Sequence, residues 1–278
     1  MAPRLSPHLT IMANAAQKAA KQLLRDFNEV EQLQVSIKGP SDFVSQADLK
    51  AEATIKQDLN KARPGYAFLM EESGASGSDN WTWRWVVDPL DGTTNFLHGM
   101  PHWAISIGLE RRLPDGATEL AAGVIYAPAT DEMFWAEKGS GAFMNDRRLR
   151  VSARRDLSQS VFATGIPFAV APARQRLAFA RTLGALMPQV AGIRRFGAAA
   201  LDLAWVAAGR FDGYWEVGIK PWDIAAGMLL VREAGGYVTD PKGSDQVGED
   251  IVAGNPYLHP KLREMVLEGL DAAEAASS

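Results

Sequence analysis

The sequence predicts a layered α/β fold, an α+β arrangement of helices against sheets, in one unit. Amphipathic helical segments alternate in blocks with short apolar strands, and no linker rich in proline, glycine or serine divides the chain. The chain is 278 residues long and 47% hydrophobic, so it can bury a sizeable core. We therefore expect a single domain over residues 1–278, with a possible subdomain line near residue 150 and a frayed tail over 271–278.

Two helices are predicted at the start of the chain. Apolar residues recur at three-to-four spacing over residues 9–34, which predicts an amphipathic helix. A second helix is predicted over residues 48–62, where Pro64 and Gly65 end it. The segment between them contains KGPSDFVSQAD, which predicts a loop or a short hairpin.

Short apolar runs follow and predict strands that alternate with further helices. The strands of the first half are predicted at YAFLM, WRWVVD, residues 103–110, residues 120–127, EMFWAE and GAFMND. Those of the second half are predicted at SVFATGI, FDGYWEV and IVAGN. Helices are predicted over residues 171–187, residues 198–208, the segment that begins PWDIAAG, and residues 259–270.

Charge and cysteine content exclude several classes of function. The formal net charge is −4, and no basic run typical of a nucleic-acid-binding arm is present. The absence of cysteine excludes disulfides, zinc thiolates, iron–sulfur clusters and cysteine nucleophiles. No apolar run approaches the roughly 18 residues of a membrane span, and the first residues lack the apolar block of a signal peptide. We expect a cytoplasmic protein with no membrane partner and no direct nucleic-acid partner.

The stretch WVVDPLDGTTNF combines the groups of a metal–phosphate site. Asp88 and Asp91 follow a buried strand, whose pairing we expect to end at Pro89 because proline has no N–H. Gly92 permits a tight turn, and the residues from Thr93 onward suit a helix N-terminus. Carboxylates bind hard cations and exposed backbone N–H groups bind phosphate. On this motif alone, Asp91 as a helix cap and Asp88 as a turn residue remain an equal alternative.

Other acidic residues are candidates with strong alternatives. Glu71 and Glu72 follow the strand of FLMEESG, where a solvated loop is the alternative. Asp223 begins a helix in KPWD, where a helix N-cap is the alternative. Asp48, in SDFVSQAD, could instead start a capped helix after a surface hairpin. Glu52 is interpreted as part of a solvated helix face.

Three segments resemble the hallmark segments of the inositol monophosphatase family: MEES, WVVDPLDGTTNF and KPWDIAAGMLLVREAGG. The second keeps the run D-P-x-D-G-T-T-N-F, and the resemblance extends over about residues 10–268. The segment IRRFGAAALDLAWVAAGRFDGYWEVGIKPWD is similar to the bacterial inositol-1-monophosphatase branch. The resemblance implies an α/β/α/β/α sandwich, a homodimer, and Mg²⁺-dependent, Li⁺-sensitive hydrolysis of small phosphate monoesters.

The resemblance also implies roles for individual residues. The metal ligands of the family match Glu71, which bridges the ions, Asp88, the Leu90 carbonyl, Asp91 and Asp223. The pair that polarises the attacking water matches Thr93 and Asp48. The phosphate cradle matches Gly92, Thr93 and Thr94, and the contacts to the substrate alcohol match Gly197, Ala199 and Glu216. One departure concerns Lys38, which stands one residue closer to Asp42 than the corresponding lysine does in some members.

Oxygen ligands favour Mg²⁺ or Mn²⁺ over zinc or copper. Two or three such ions would remove the repulsion within a cluster of carboxylates, orient the phosphate and activate a water for in-line attack. Together with this chemistry, the resemblance implies a phosphatase for inositol monophosphate or a similar small polyol phosphate.

Several alternatives remain open at the level of sequence. Relatives with the same metal site hydrolyse histidinol phosphate, fructose 1,6-bisphosphate, 3′-phosphoadenosine 5′-phosphate or NADP. A haloacid-dehalogenase-type phosphatase also carries Asp-Gly-Thr, but it needs two aspartates in the pattern D-x-D, which follows no apolar strand here. An alternative of another class is a regulatory protein that binds a partner in the transcription machinery.

Overall fold

The structure is a computed structural model that describes residues 5–29, 35–39, 42–167 and 171–276, with the backbone alone over 35–39 and 42–45. Within these residues the helices are α1 (Pro7–Phe27), α2 (Gln46–Ala62), α3 (Thr93–Leu97), α4 (Ala173–Leu186), α5 (Ala199–Ala207), α6 (Pro221–Glu233) and α7 (His259–Ala275). A short antiparallel hairpin, β1 (Val35–Gly39) and β2 (Asp42–Ser45), precedes α2.

Most strands belong to two larger sheets. The first sheet has eight strands in the order β10-β9-β8-β7-β6-β5-β3-β4. Its strands are β3 (Ala67–Met70), β4 (Gly74–Ser76), β5 (Trp83–Asp91), β6 (Ala104–Arg112), β7 (Thr118–Ala127), β8 (Glu132–Glu137), β9 (Gly141–Met144) and β10 (Arg147–Arg148). The second sheet has five strands in the order β12-β11-β13-β15-β14. Its strands are β11 (Val161–Thr164), β12 (Gly192–Arg194), β13 (Gly213–Val217), β14 (Tyr237–Thr239) and β15 (Asp250–Gly254).

The helices and sheets alternate in five layers. Helices α1 and α2 pack on the outer face of the eight-stranded sheet, and α5 and α6 lie between the two sheets. Helices α4 and α7 pack against each other, and α7 covers the outer face of the five-stranded sheet. Three hydrophobic clusters fill the four interfaces: one lies between α1 and α2 and the first sheet, one surrounds α5 and α6 and contacts both sheets, and one lies between the second sheet and the pair α4 and α7. The predicted α/β/α/β/α sandwich is thus confirmed.

Strand β5 continues past Pro89, so the prediction that its pairing ends there was wrong. The pairing with β6 is interrupted after Asp88 and resumes with Asp91 opposite Ala104. This irregularity accommodates a proline, which has no N–H to donate to the ladder. The next N–H, that of Leu90, donates to Asp88 Oδ1 at 2.9 Å instead of to a neighbouring strand.

Other boundaries also differ from the predictions. Helix α1 ends at Phe27, and α7 runs to Ala275, so most of the tail that we expected to fray is helical. Ala273 is buried, which explains why the helix continues. Four strands of two or three residues were not predicted from the sequence: β4, β10, β12 and β14.

The chain passes from the first sheet to the second between β10 and β11, after residue 148. Whether residue 150 marks a subdomain line within a single domain stays a prediction. In the described part of the chain, no helix is both long and apolar enough to cross a membrane.

Helix α6 approaches its neighbours closely through glycines. A Cβ added to Gly108 of β6 would lie 3.0 Å from the Cβ of Ala225, and one added to Gly123 of β7 would lie 3.0 Å from the Cα of Ala226. On the opposite side, a Cβ on Gly227 would lie 2.6 Å from the Cβ of Leu203 in α5. These contacts hold α6 between the sheets with no space for an added methyl group.

We expect Gly227→Ala to lower the free energy of unfolding by about 1–2 kcal/mol, because the overpacking in a dense core outweighs the higher helix propensity of alanine. The matched control is Gly184→Ala in α4, where no described atom lies within 4 Å of an added Cβ. That variant should gain a few tenths to about 1 kcal/mol. Urea titration of both variants measures the difference, and equal effects would contradict this account of the packing.

Candidate active site

Two predicted ligands lie side by side because their strands are parallel neighbours. Strands β3 and β5 pair in parallel, with Met70 opposite Val87, so the next residues, Glu71 and Asp88, emerge at the same edge of the sheet. The Glu71 N–H continues the ladder by donating to the Val87 carbonyl at 3.1 Å. The ends of parallel strands meet at one edge, and this is where α/β sheets gather functional side chains.

The first turn of α6 brings Asp223 to the same place. Its carboxylate accepts a hydrogen bond from the Lys220 N–H at 3.1 Å, and Lys220 itself is the N-cap residue. Asp223 is therefore the third residue of the helix and not its N-cap, where the alternative interpretation placed it. Ser106 Oγ donates to the Trp222 carbonyl at 3.3 Å and ties this turn to β6.

Asp91 joins the end of β5 to the start of α5. Its Oδ2 accepts a hydrogen bond from the Ala200 N–H, in the first turn of α5, at 2.7 Å. Backbone N–H groups at a helix N-terminus stabilise negative charge, so this contact favours the ionised carboxylate. The bond also places the start of α5, which includes Ala199, beside the acidic cluster.

The clustered carboxyl groups resist ionisation. Burial, followed by the charges of Glu71, Asp91 and Asp223, raises the pKa of Asp88 well above its usual value. Burial, then the charge of Asp223, does the same to the pKa of Asp91, although the Ala200 N–H opposes the shift. Burial raises the pKa of Asp223 to about 7. Each shift has the direction expected when like charges share a site of low polarity.

Mutual repulsion acts within this cluster. Among the described residues, no three acidic or histidine side chains already stand in the arrangement of a metal-ligand set. The charges of Glu71, Asp91 and Asp223 nevertheless act on Asp88, and those of Asp223 and Glu71 act on Asp91. A cation would neutralise this excess of negative charge. Oxygen donors with an excess of negative charge fit a hard divalent cation.

Thr93 and Asp48 form a polar pair beside this cluster. The Thr93 hydroxyl lies 3.0 Å from Asp48 Oδ1 and 3.0 Å from the Leu90 carbonyl oxygen. Asp48 is fully buried in the first turn of α2. A hydroxyl has one proton to donate and keeps lone pairs that can accept, so Thr93 can donate to Asp48 and accept from a water.

The predicted phosphate cradle lies at the start of α3. Gly92 has φ 90°, and a Cβ there would lie 3.0 Å from the His102 carbonyl oxygen, so both conformation and space require glycine. The first helical hydrogen bond runs from the Phe96 N–H to the Gly92 carbonyl at 3.0 Å. The N–H groups before Phe96 therefore have no helical acceptor, as at every helix start. Thr94 is exposed at this point.

The candidate contacts to the substrate alcohol come from the second sheet. Glu216 lies on β13, and its Oε2 accepts a hydrogen bond from the Tyr214 hydroxyl. Burial raises the pKa of Glu216 to about 7, while the Tyr214 hydrogen bond and the charge of Arg195 oppose the shift. Gly197 and Ala199 lie at the start of α5, in the turn that Ala200 fastens to Asp91.

Asn95 is a residue of the site for which no role was predicted from the sequence. It is 4% exposed, and its Nδ2 donates to the His102 carbonyl and to the Phe196 carbonyl, each at 2.7 Å. It thereby fastens the loop before Gly197 to the helix that carries Thr93. Its place in the run GTTNF was the available signal, but the run does not show which carbonyls it contacts.

Glu52 does not lie on a solvated face, so that interpretation was wrong. It is 5% exposed, and its carboxylate accepts a hydrogen bond from the Glu72 N–H at 2.9 Å. Helix α2 thus supports the backbone of the turn that carries Glu71. The side chains of Lys38 and Asp42 lie outside the described residues.

Comparisons with known proteins identify the relatives of this chain. The family model described as the inositol monophosphatase family matches residues 5–274. An inositol-1-monophosphatase of Mesorhizobium japonicum is 53% identical over 95% of this chain and 97% of its own length. The Nus factor SuhB of Escherichia coli is 44% identical over 91% of this chain and 92% of its own length. The haloacid-dehalogenase alternative gains no support from these matches.

A solved structure shows the same fold. The crystal structure of the extragenic suppressor protein suhB of Bartonella henselae superposes with a TM-score of 0.89. It is 52% identical in sequence, and the match covers 95% of this chain and all of that one.

We expect Asn95→Ala to lower the free energy of unfolding by roughly 1–3 kcal/mol, because two part-buried carbonyl groups lose their donor. Activity should fall as well, since the segment before Gly197 loses its attachment to α3. The control is Asn80→Ala at an exposed position, which should change neither quantity. Thermal unfolding and phosphate release measure the two effects, and a stable, fully active Asn95→Ala protein would show that the two hydrogen bonds are dispensable.

Proposed function

The chain belongs to the inositol monophosphatase family and is a phosphatase, and we propose that it hydrolyses inositol monophosphate, or a similar small polyol phosphate, to the alcohol and inorganic phosphate. The observation that carries the proposal is the cluster of Glu71, Asp88, Asp91 and Asp223 at one edge of the sheet, with Thr93 and Asp48 beside it. Relatives named inositol-1-monophosphatase at 51–53% identity support the same substrate class.

We propose that the metal is Mg²⁺, in two or three sites, with Mn²⁺ as a substitute. The residues that would hold it are Glu71, Asp88, the Leu90 carbonyl, Asp91 and Asp223. When bound, a divalent cation of this kind neutralises phosphate oxygens and lowers the pKa of a coordinated water. The raised pKa values of the carboxyl groups support this set, because they mark buried negative charge that lacks compensation.

The water that attacks the phosphorus is held by Thr93. With its proton donated to Asp48, the Thr93 hydroxyl presents a lone pair that accepts a hydrogen bond from the water. Asp48 orients the threonine, and its carboxylate can accept the proton that the water releases, passed on through the Thr93 hydroxyl. The N–H groups at the start of α3, with Gly92 and Thr94, hold the phosphate oxygens. No covalent bond between enzyme and phosphate is required.

The alcohol part of the substrate lies against the second sheet. Glu216, with Gly197 and Ala199, would contact its hydroxyl groups. A carboxylate accepts hydrogen bonds from hydroxyls and repels a second anionic group. This arrangement favours a polyol over esters with further phosphate groups, namely fructose 1,6-bisphosphate, 3′-phosphoadenosine 5′-phosphate and NADP.

Inhibition by Li⁺, a homodimeric state and a cytoplasmic location are further parts of the proposal. All three follow from family membership and from composition. Light scattering of the purified protein tests the dimer, and a titration of activity with LiCl tests the inhibition.

A second candidate function is regulation through the transcription machinery. The 44% identity to a protein named Nus factor SuhB favours it. Phosphatase activity has the stronger support, since the relatives named as phosphatases are more similar to this chain. The two roles are compatible, and a pull-down with the catalytically inactive variant below would separate them.

We expect Asp223→Asn to remove most Mg²⁺-dependent activity, by roughly 10²-fold or more, because a ligand charge is lost. Asparagine keeps an oxygen that can accept from the Lys220 N–H, so the helix start should remain intact. In the wild-type protein Mg²⁺ should raise the melting temperature, and in Asp223→Asn and Asp91→Asn this rise should shrink or disappear. Activity assays and thermal unfolding at several Mg²⁺ concentrations measure both effects.

The matched control is Asp271→Asn, at an exposed position on α7. It should behave as wild type in both assays. If Asp223→Asn or Asp91→Asn retained wild-type turnover and the full thermal response to Mg²⁺, the assignment of the metal ligands would be wrong.

A substrate panel at saturating Mg²⁺ tests the alcohol side. We expect kcat/KM for inositol monophosphate to exceed that for adenosine 3′,5′-bisphosphate by at least about tenfold, because the second phosphate would face Glu216. Glu216→Gln should raise KM for the inositol ester more than it lowers kcat, which is the pattern of lost ground-state binding. A panel in which the bisphosphate is the better substrate would refute the proposed alcohol.

A further inference from the structure

We propose that Gly165 determines the alcohol specificity of this enzyme, because the carboxylate of Glu216 occupies the space that any side chain at position 165 would need. Gly165 lies outside the three segments that carry the family resemblance, MEES, WVVDPLDGTTNF and KPWDIAAGMLLVREAGG. The proposal rests on the proposed function, since it concerns the polyol side of the same site.

The register of the second sheet places the two residues side by side. Strands β11 and β13 are parallel, with Ala163 opposite Tyr214 and Thr164 opposite Trp215. The next residues in this register are Gly165 and Glu216. Paired residues on neighbouring strands direct their side chains to the same face, so Glu216 projects on the face where a Cβ of residue 165 would lie.

The contact leaves no space for a methyl group. A Cβ added to Gly165 would lie 2.0 Å from the carboxyl carbon of Glu216, 2.0 Å from Oε1 and 2.1 Å from Oε2. Real carbon atoms do not approach so closely, so the carboxylate would have to move. Gly165 does not have a positive φ, so its backbone conformation is open to other residues. Space, and not conformation, therefore requires glycine here.

The surroundings of Glu216 restrict where its carboxylate could go. On its other side β15 places Ile251 opposite Glu216, and Ile251 is fully buried. Tyr214, two residues earlier on the same face, donates its hydroxyl proton to Oε2. Thr164 Oγ1 donates to the Trp215 carbonyl at 2.9 Å and fixes the two strand ends to each other. A side chain at position 165 would therefore break the contact with Tyr214 and shift the carboxylate away from its place.

The chemical consequence is selective for hydroxylated esters. With Oε2 bonded to Tyr214, Oε1 is the oxygen that remains to accept a hydrogen bond from a hydroxyl group of the substrate alcohol. An aryl ester such as 4-nitrophenyl phosphate has no hydroxyl on its leaving group and gains nothing from this acceptor. Displacing Glu216 should thus weaken the binding of a polyol ester more than that of an aryl ester.

The experiment compares Gly165→Ala with Gly184→Ala, whose added Cβ meets no described atom within 4 Å. For each protein kcat and KM are measured with inositol monophosphate and 4-nitrophenyl phosphate at the same Mg²⁺ concentration. We expect the ratio of kcat/KM for the two esters to fall about tenfold in Gly165→Ala, mainly through KM for the inositol ester. In Gly184→Ala the ratio should stay at the wild-type value.

A double variant tests whether the effect passes through Glu216. In Gly165→Ala with Glu216→Ala, the ratio should be no lower than in Glu216→Ala alone, because the displaced group is already absent. If Gly165→Ala does not fold, the same double variant should restore folding, since the clash is removed. Failure to restore it would overturn the proposal.

Other outcomes also overturn it: an unchanged ratio in Gly165→Ala, an equal loss on both esters, or additive losses in the double variant. Failure of the proposed function is distinguishable from these. If the wild-type protein prefers another hydroxylated ester, inositol monophosphate is the wrong substrate, and the same ratio measured with the preferred ester still tests Gly165.

Discussion

The repulsion among four carboxyl groups is the constraint on which the arrangement of this protein depends. In water these carboxyl groups would move apart. In the protein each is attached to a backbone segment whose position is determined by the fold. The Leu90, Ala200 and Lys220 N–H groups hold Asp88, Asp91 and Asp223, respectively. Each of these bonds restrains a carboxylate and lowers the free energy of its charged form. The layered architecture provides these N–H groups from a strand bulge and from the first turns of two helices.

The rigidity of α6 follows from the same requirement. A ligand at the start of a helix is fixed only if the helix cannot slide, and here glycines of β6 and β7 bring the sheet backbone against Ala225 and Ala226. Dense interiors transmit displacement because they contain little free volume. The helix that carries Asp223 is therefore held by contacts that involve none of the acidic residues.

The pattern of apolar residues predicted the layered fold, and the resemblance to the family, carried by contiguous motifs, predicted the residues of the acidic cluster. Asp88, Asp91 and Thr93 lie close together in any fold because only a few residues of the chain separate them. The missed features depend on distant partners. Asn95 contacts a carbonyl 101 residues away, and Asp91 accepts from an N–H 109 residues away. Glu52 was interpreted as solvated because the apolar pattern of its helix is weak. Its contact is with the Glu72 N–H, in the turn after β3, which the helix pattern does not indicate. The prediction that pairing ends at Pro89 was wrong because an irregularity in the pairing lets β5 continue past the proline. No local sequence pattern indicates this irregularity.

The two halves of the site come from different sheets. The acidic cluster and Thr93 depend on β3, β5 and α6, whereas Glu216 and Gly165 depend on the ends of β13 and β11. Under the proposed roles, substitutions at those two strand ends alter the alcohol side and leave the proposed metal ligands in place. After gene duplication, one copy can acquire a different leaving alcohol while both copies keep the same hydrolytic chemistry. Under these proposed roles, the separation of the sheets makes substrate range the evolvable property of this scaffold and phosphate chemistry the inherited one.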